Sequence, residues 1–289
     1  MKAPPFRYSR PETVEEALEL LAHYGDEAQV IAGGQSLLPA LALRLSAPGV
    51  LVDVSRIGTL QGIYEIPTGL RIGAMARHQE IERSSLVATY APLLATAMRQ
   101  VAHPPIRVMG TFGGSVALAD PAAEAPAATL AHEATLVVRT LAGEQRIRAE
   151  DFFLGVYTTA LEPGAILVAA EFARPPPSER FVFRELARRS GDFATVGVAA
   201  RAVIEGSRVA FMRIVLFGVV DRPVTAPKTA SALVGSDLTK SSIEAALDAL
   251  GSDVSPSADL HHDEATKMRL LRVLVKRVLL ELNDGVRND

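Results

Sequence analysis

No cysteine occurs among the 289 residues, and that absence removes whole classes of chemistry. A chain without thiols has no disulfide, no thiolate zinc site, no cysteine nucleophile and no cysteine-ligated iron–sulfur cluster. Any redox role must rest on a bound organic cofactor or on a cofactor held by another chain. Long apolar runs are lacking too. The stretch 214–220, one of the longest, is far shorter than the roughly 20 residues that a membrane helix needs. The segment Met1-Lys2-Ala3-Pro4-Pro5-Phe6 has no apolar core of the signal-peptide kind. Neither sign of charge dominates: 30 Lys and Arg stand against 33 Asp and Glu, with no basic block and no motif that reads nucleic acid. The expectation is a soluble, cytoplasmic protein with no membrane span and no nucleic-acid partner.

Hydrophobic residues make up 48% of the chain and charged residues 22%. That balance fits a folded protein, long enough for one large domain or two modest ones. Thr13 with Glu16 three residues later has the spacing of a capping box, and the helix that follows carries Val14, Ala17, Leu18 and Leu21 on one face until Gly25 stops it. Residues 28–32 then read as a short strand, Leu38, Leu41 and Leu45 recur at helical spacing, and residues 50–54 form another buried strand. This β–α alternation marks a small α/β lobe. From residue 63 to 172 short strands and helices mix, with 69–74, 135–139 and 166–172 as strands, 78–98 mostly helical with a break at Pro92, and a helix opening at Asp120-Pro121. Pro175-Pro176-Pro177 continues neither helix nor sheet and is placed at a domain boundary. Beyond it come strands over 181–186, 195–204 and 210–219. Two helices close the chain, one from Ser241 with a capping box to Glu244 and one over 265–282.

Three glycine-bearing or acidic segments could carry chemistry. Ala32-Gly33-Gly34-Gln35-Ser36-Leu37 lies between a strand and a helix, where paired glycines let a backbone approach a ligand and helix-terminal amides favour phosphate. A tight β–α turn is the plain alternative, and neither the P-loop nor the GxGxxG pattern is present. Gly110-Thr111-Phe112-Gly113-Gly114-Ser115 is a second such loop. Two loops converging from different segments could together supply amide donors to a diphosphate. Asp120, before Pro121, reads as a helix N-cap or as an acceptor for a ribose or ribityl hydroxyl.

Together these segments resemble the FAD-binding subunits of the molybdenum hydroxylase family, which includes aerobic carbon monoxide dehydrogenase, quinoline oxidoreductase and the flavin region of xanthine dehydrogenase. The family's AGGxSLLP stands at residues 32–39, its IGA at Ile72-Gly73-Ala74, its IRNxGTxGG at 106–114, its ADPAAExPA at 119–127 and its ARRxGDFAxVGVA at 187–199. The likeness runs from the first residues to the last helix. Position 108 is Val where the family usually has Asn, and Met109 stands where Arg is common. Losing that amide side chain removes a loop-bracing hydrogen bond worth roughly 1 kcal/mol. A Thr often follows the GA motif, where this chain has Arg77-His78.

The resemblance implies an α+β fold: a two-lobed FAD-binding domain of the vanillyl-alcohol-oxidase (PCMH) type over residues 1–174, with lobes of about 1–60 and 61–174, then a smaller α+β domain of strands followed by helices over 178–289. It implies a non-covalent FAD whose contacts are Ala32, Gly33, Gly34, Gln35, Ser36, Leu37, Thr111, Gly114, Ser115, Asp120, Leu161 and Phe193. Read from the sequence alone, Phe193 is as well explained as a core residue. The implied partners are a large subunit with the molybdenum–pterin centre and a small subunit with two [2Fe–2S] clusters, as a dimer of heterotrimers. In that arrangement the chain is an oxidoreductase subunit that transfers electrons, with no catalytic side chain and no metal of its own. Two alternatives stand beside it: a self-sufficient FAD-dependent oxidase, whose frequent histidyl tether Gln35 could not form, and a nonenzymatic nucleotide-binding module. His261-His262-Asp263-Glu264 reads as a solvated helix start, and His103 as a structural loop residue. Arg184, Arg188 and Arg189 form an exposed basic face or a docking surface for the iron–sulfur subunit. Ser36 and Ser115 lack the His/Asp company of a nucleophile.

Overall fold

The computed structural model describes residues 2–284. The first lobe runs β1 (Arg7–Ser9), α1 (Val14–Tyr24), β2 (Ala28–Ile31), α2 (Leu37–Ala42) and β3 (Val50–Asp53), its strands paired in parallel in the order β1-β3-β2. The Thr13 hydroxyl accepts the Glu16 N–H at 3.1 Å and so caps α1. The Glu16 carboxylate accepts the Glu12 N–H at 2.8 Å, one residue before the cap. Of the leucines at helical spacing only Leu41 is buried. Leu38 and Leu45 face outward, and Leu45 lies beyond the end of α2.

The second lobe runs β4 (Ile63–Ile66), β5 (Gly69–Gly73), α3 (His78–Arg83), α4 (Ser85–Tyr90), α5 (Pro92–Gln100), α6 (Pro104–Met109), α7 (Phe112–Leu118), α8 (Glu124–Ala131), β6 (Thr135–Thr140), β7 (Gly143–Arg148), α9 (Ala149–Phe152), β8 (Phe153–Gly155), β9 (Thr158–Thr159) and β10 (Ile166–Ala173). Strands β4-β5-β10-β6-β7 form an antiparallel sheet in that order. Because side chains alternate along a strand, Leu136 and Val138 pack under the helices, while Val137, with Val168 of β10, packs against α1 and β3 of the first lobe. The sheet is therefore buried on both faces and joins the lobes. The helix expected from Asp120 starts instead at Glu124. Ala119 is left-handed (φ 53°) at the end of α7, and the Gly218 N–H donates to the Pro121 carbonyl at 2.8 Å, which pins residues 120–123 as a turn. The proline that α8 accommodates in its first turn is Pro126.

After Pro175-Pro176-Pro177 come β11 (Glu179–Leu186), β12 (Val196–Glu205), β13 (Arg208–Phe217), β14 (Val224–Thr225), α10 (Pro227–Ser231), α11 (Lys240–Ala249) and α12 (Glu264–Asp284). The antiparallel sheet β11-β12-β13-β14 is again double-faced. Val196, Val198, Ala200, Ile214 and Leu216 pack against α10, α11 and α12, whereas Ala199, Val215 and Phe217 join the core under α8. Thr239, not Ser241, caps α11 by accepting the Ser242 N–H at 3.3 Å, and Glu244 pairs instead with Lys276 of α12. At the seam between the two sheets Glu133 pairs with Arg201 and Arg213, and Arg213 reaches Glu150 at 2.7 Å. No described helix is long and apolar enough to cross a membrane.

Gly197 lies directly beneath the Phe217 ring, leaving no room for a Cβ. Gly197→Ala should therefore lose about 1–3 kcal/mol of stability through overpacking. Urea unfolding checks this, and a wild-type midpoint would contradict the packing described.

Candidate functional site

The two glycine loops touch backbone to backbone. A Cβ on Gly33 would come within 3.0 Å of the Gly110 Cα and closer still to the Met109 carbonyl. Gly34 has φ +72°, a left-handed conformation that favours glycine. On the other side of the second loop, a Cβ on Gly113 would meet the Ala74 Cα at 2.7 Å. The first loop, the IGA segment and the second loop are thus interlocked through atoms that no side chain could replace.

Accounting for the backbone donors separates the two loops. In the second, the Phe112 N–H donates to the Ala76 carbonyl at 2.9 Å, the Gly113 N–H to the Ala74 carbonyl at 2.8 Å, and the Gly114 N–H to the Thr111 hydroxyl at 3.2 Å. The Ser115 N–H donates to the Thr111 carbonyl at 3.1 Å. The expectation that both loops offer their amides alike is corrected accordingly: in the second loop those of Gly110, Phe112, Gly113, Gly114 and Ser115 are spent within the fold, and among the described residues that of Thr111 alone donates to no acceptor. In the first loop the amides of Gly33, Gly34, Gln35, Ser36 and Leu37 donate to no acceptor among the described residues. Five successive free amides on a half-buried turn supply the donors that an anion-binding nest requires. The Gln35 side chain folds back to donate to the Gly33 carbonyl at 2.9 Å, bracing the turn. The second loop contributes a wall: the Gly114 Cα faces Ala32, and a Cβ there would lie 3.7 Å from the Ala32 Cβ. The Ser115 hydroxyl, half-buried on α7, has no bond among the described residues.

Arg77 and His78 hold the second loop. The Arg77 guanidinium donates to the Met109 carbonyl, and the His78 N–H to the Gly110 carbonyl at 3.1 Å. His78 Nε2 lies 2.9 Å from the Thr111 carbonyl, which can only accept, so this nitrogen carries the proton. Burial pushes His78 down to about 4, against the Thr111 bond, and the charges of Arg107 and Arg77 add to the fall. Arg107 ties α6 to α3 through Glu82 at 3.0 Å and to the Val101 carbonyl at 2.9 Å. Val108 is exposed and braces nothing. The sequence reading missed the clamp made by residues 77 and 78. Its signal was a polar pair two residues beyond the IGA motif.

Asp120 does not cap α8. Its Oδ1 accepts the Ala122 N–H at 2.9 Å and its Oδ2 the Tyr157 hydroxyl at 3.1 Å. Leu161 is half-buried against the core under the helices, and its N–H donates to the Thr159 hydroxyl at 3.3 Å. Phe193 is 64% exposed and so is not a core residue. Its loop leans on the segment before α6, where a Cβ on Gly191 would come within 2.9 Å of the Ala102 carbonyl. Arg184, Arg188 and Arg189 are all exposed, and Arg184 pairs with Glu281 at 2.8 Å. The Asp259 carboxylate accepts the N–H groups of His261 and His262, and no metal-binding group of side chains occurs among the described residues. A cavity of about 900 Å³ between α1 and the β6–β7 turn contains none of the expected site residues.

Near Asp120 lies the buried carboxyl of Glu124, which in turn feels the half-buried Glu185. Burial, then the charges of Glu185 and Asp120, push Glu124 up to about 8, and burial pushes Glu185 up to about 7. Each folded value is above the ordinary 4.5, so the native state keeps protons that the unfolded chain has released. Stability then falls as pH rises from about 5 to about 8. Glu124→Gln should melt roughly 5 °C higher than wild type near pH 8 and about level with it near pH 5. Thermal melts across that range check this, and an equal offset at both pH values would contradict it.

Comparison with known proteins bears on this arrangement. Residues 4–173 match the family model described as the FAD binding domain in molybdopterin dehydrogenase, and residues 181–282 match the CO dehydrogenase flavoprotein C-terminal domain. The chain is similar to the nicotine 6-hydroxylase medium subunit of Paenarthrobacter nicotinovorans, at 35% identity over 97% of this chain and 98% of the relative. It is 36% identical to the carbon monoxide dehydrogenase medium chain of Hydrogenophaga pseudoflava, over 96% of this chain and 97% of that one. Among solved structures it superposes on carbon monoxide dehydrogenase from Hydrogenophaga pseudoflava with a TM-score of 0.95, at 35% identity and 99% coverage of both chains. For quinoline 2-oxidoreductase from Pseudomonas putida the TM-score is 0.94, at 36% identity and 99% coverage of both chains.

Proposed function

The chain belongs to the FAD-binding medium subunits of the molybdenum hydroxylases, and we propose that within such an enzyme it is the electron-transfer subunit of a heterotrimer. It is an oxidoreductase flavoprotein subunit whose cofactor is FAD. The five free amides of residues 33–37 carry the placement of that cofactor. They fit a diphosphate, because successive amide donors compensate an anion that approaches the backbone closely. Gly114, facing Ala32, puts no side chain between the two loops there.

In this reading residues 32–37 bind the diphosphate, with the Ser115 and Thr111 hydroxyls beside it. Asp120 accepts a hydrogen bond from a ribose or ribityl hydroxyl, and Leu161 and Phe193 flank the flavin ring. FAD would be held non-covalently by these residues and would supply the redox chemistry by which the subunit passes electrons from the [2Fe–2S] clusters of a small partner subunit to an external acceptor. The chain's own residues bind and orient; none acts as a general acid or base. A large partner subunit holds the molybdenum–pterin centre, and the assembly is a cytoplasmic dimer of heterotrimers. The lack of cysteine agrees with this division, since clusters of that kind need thiolates from another chain. The stretch 175–177 is the proposed boundary between the FAD-binding domain, residues 1–174, and the C-terminal domain, residues 178–289.

Gly114→Asp should abolish FAD binding, because its carboxylate would enter the space before Ala32 and compete for the same amides. Flavin absorbance of the purified, folded variant checks this, and wild-type FAD content would overturn the placement. Purification of the chain from the organism that encodes it tests the wider reading. Companion chains carrying molybdenum and iron support the heterotrimer, whereas a lone yellow protein that turns over substrate contradicts it.

A further inference from the structure

The side chain of Tyr157 occupies a place that core packing does not explain. The residue sits in the turn of the ribbon formed by β8 and β9, with φ +51°, a left-handed conformation costly for any residue with a Cβ. Its ring is 60% exposed and joins none of the three hydrophobic cores. A strained conformation is ordinarily held by burial around it, and here there is little. Among the described residues its one side-chain bond is from the hydroxyl to Asp120 Oδ2, at 3.1 Å.

That bond completes a fixed carboxylate. Asp120 Oδ1 already accepts the Ala122 N–H at 2.9 Å, so with Tyr157 in place both oxygens are anchored from the protein side. A carboxylate has about four acceptor sites, so each oxygen keeps one for a ligand hydroxyl. Burial and the charge of Asp120 hold the phenol above its ordinary value, so it stays a donor at neutral pH. The ribbon reaches the site on two sides: β9 packs against α7, which follows the second glycine loop, and two residues after β9 comes Leu161, whose N–H donates to Thr159. One short element therefore links Asp120 to Leu161, two candidate cofactor residues that are far apart in sequence.

We propose that Tyr157 is a positioning residue for FAD, its hydroxyl aiming the Asp120 carboxylate at a ribose or ribityl hydroxyl. The inference rests on the reading of Asp120 as a cofactor contact. The two-residue turn between β8 and β9 itself calls for positive φ at a central position, and it carries the phenol to Asp120.

A double-mutant cycle on the full chain, titrated with FAD, separates the two claims. Tyr157→Phe keeps the ring and removes the hydroxyl. It should raise the dissociation constant for FAD about tenfold, the scale of one hydrogen bond to a charged group, while leaving the melting temperature of the FAD-free chain unchanged. Asp120→Asn should weaken binding at least as much, and adding Tyr157→Phe to it should cost little more. Wild-type affinity in Tyr157→Phe alongside weakened Asp120→Asn would overturn the role of Tyr157 and leave the Asp120 contact standing. Additive losses would also overturn it, because the tyrosine would then act without Asp120. Wild-type affinity in Asp120→Asn would overturn the contact itself and the inference with it. A lower melting temperature in FAD-free Tyr157→Phe with unchanged affinity would reduce the residue to a structural role.

Discussion

Where Gly33 meets the Met109–Gly110 backbone, a single methyl group would not fit, and the geometry of the site follows from that closeness. The first loop lies flat against the second, and the second lies flat against Ala74 through Gly113. Three segments from both lobes are thereby held with no intervening side chains. The double-faced sheet gives the same rigidity on a larger scale, because Val137 and Val168 on one face and Leu136 and Val138 on the other commit it to both lobes. A site built this way has little freedom to spread, so its free donors stay aimed at one place.

The loops look alike in sequence but divide the work. The amides of residues 112–115 in the second loop are absorbed by Ala74, Ala76 and Thr111, so it serves mainly as scaffold and wall. The first loop keeps its amides free, and Gln35 stiffens it from within. Arg77 and the neutral His78 complete the scaffold from behind, gripping three successive carbonyls of the second loop. This clamp braces the loop from positions other than 108, where the family usually carries asparagine and this chain exposes a valine.

Local signals were legible where one element decided the outcome. The cap at Thr13, the strands around Val50, Ile166 and Val196, and the closing helix over 265–282 follow from spacing alone. Legibility failed where a distant partner decided. Asp120-Pro121 has the residues of a helix start, but the Gly218 N–H holds the Pro121 carbonyl and moves the start to Glu124. Ser241 and Glu244 have capping-box spacing, but Glu244 finds Lys276 on another helix, and Thr239 caps. The roles of His78 and Tyr157 depend on Thr111 and Asp120, 33 and 37 residues away, and no spacing rule reaches that far. The glycine motifs pointed to two loops that the fold does bring into contact. Which loop keeps its amides is a property of the fold, since it depends on what Ala74 and Ala76 accept.

The most direct test of a single FAD cradle between these loops is a crystal structure of the chain with FAD bound. The account predicts the diphosphate against the amides of residues 33–37, the Ser115 hydroxyl at its side and a sugar or ribityl hydroxyl at Asp120. A dinucleotide found elsewhere, for instance in the cavity between α1 and the β6–β7 turn, with the first loop's amides facing solvent, would contradict it.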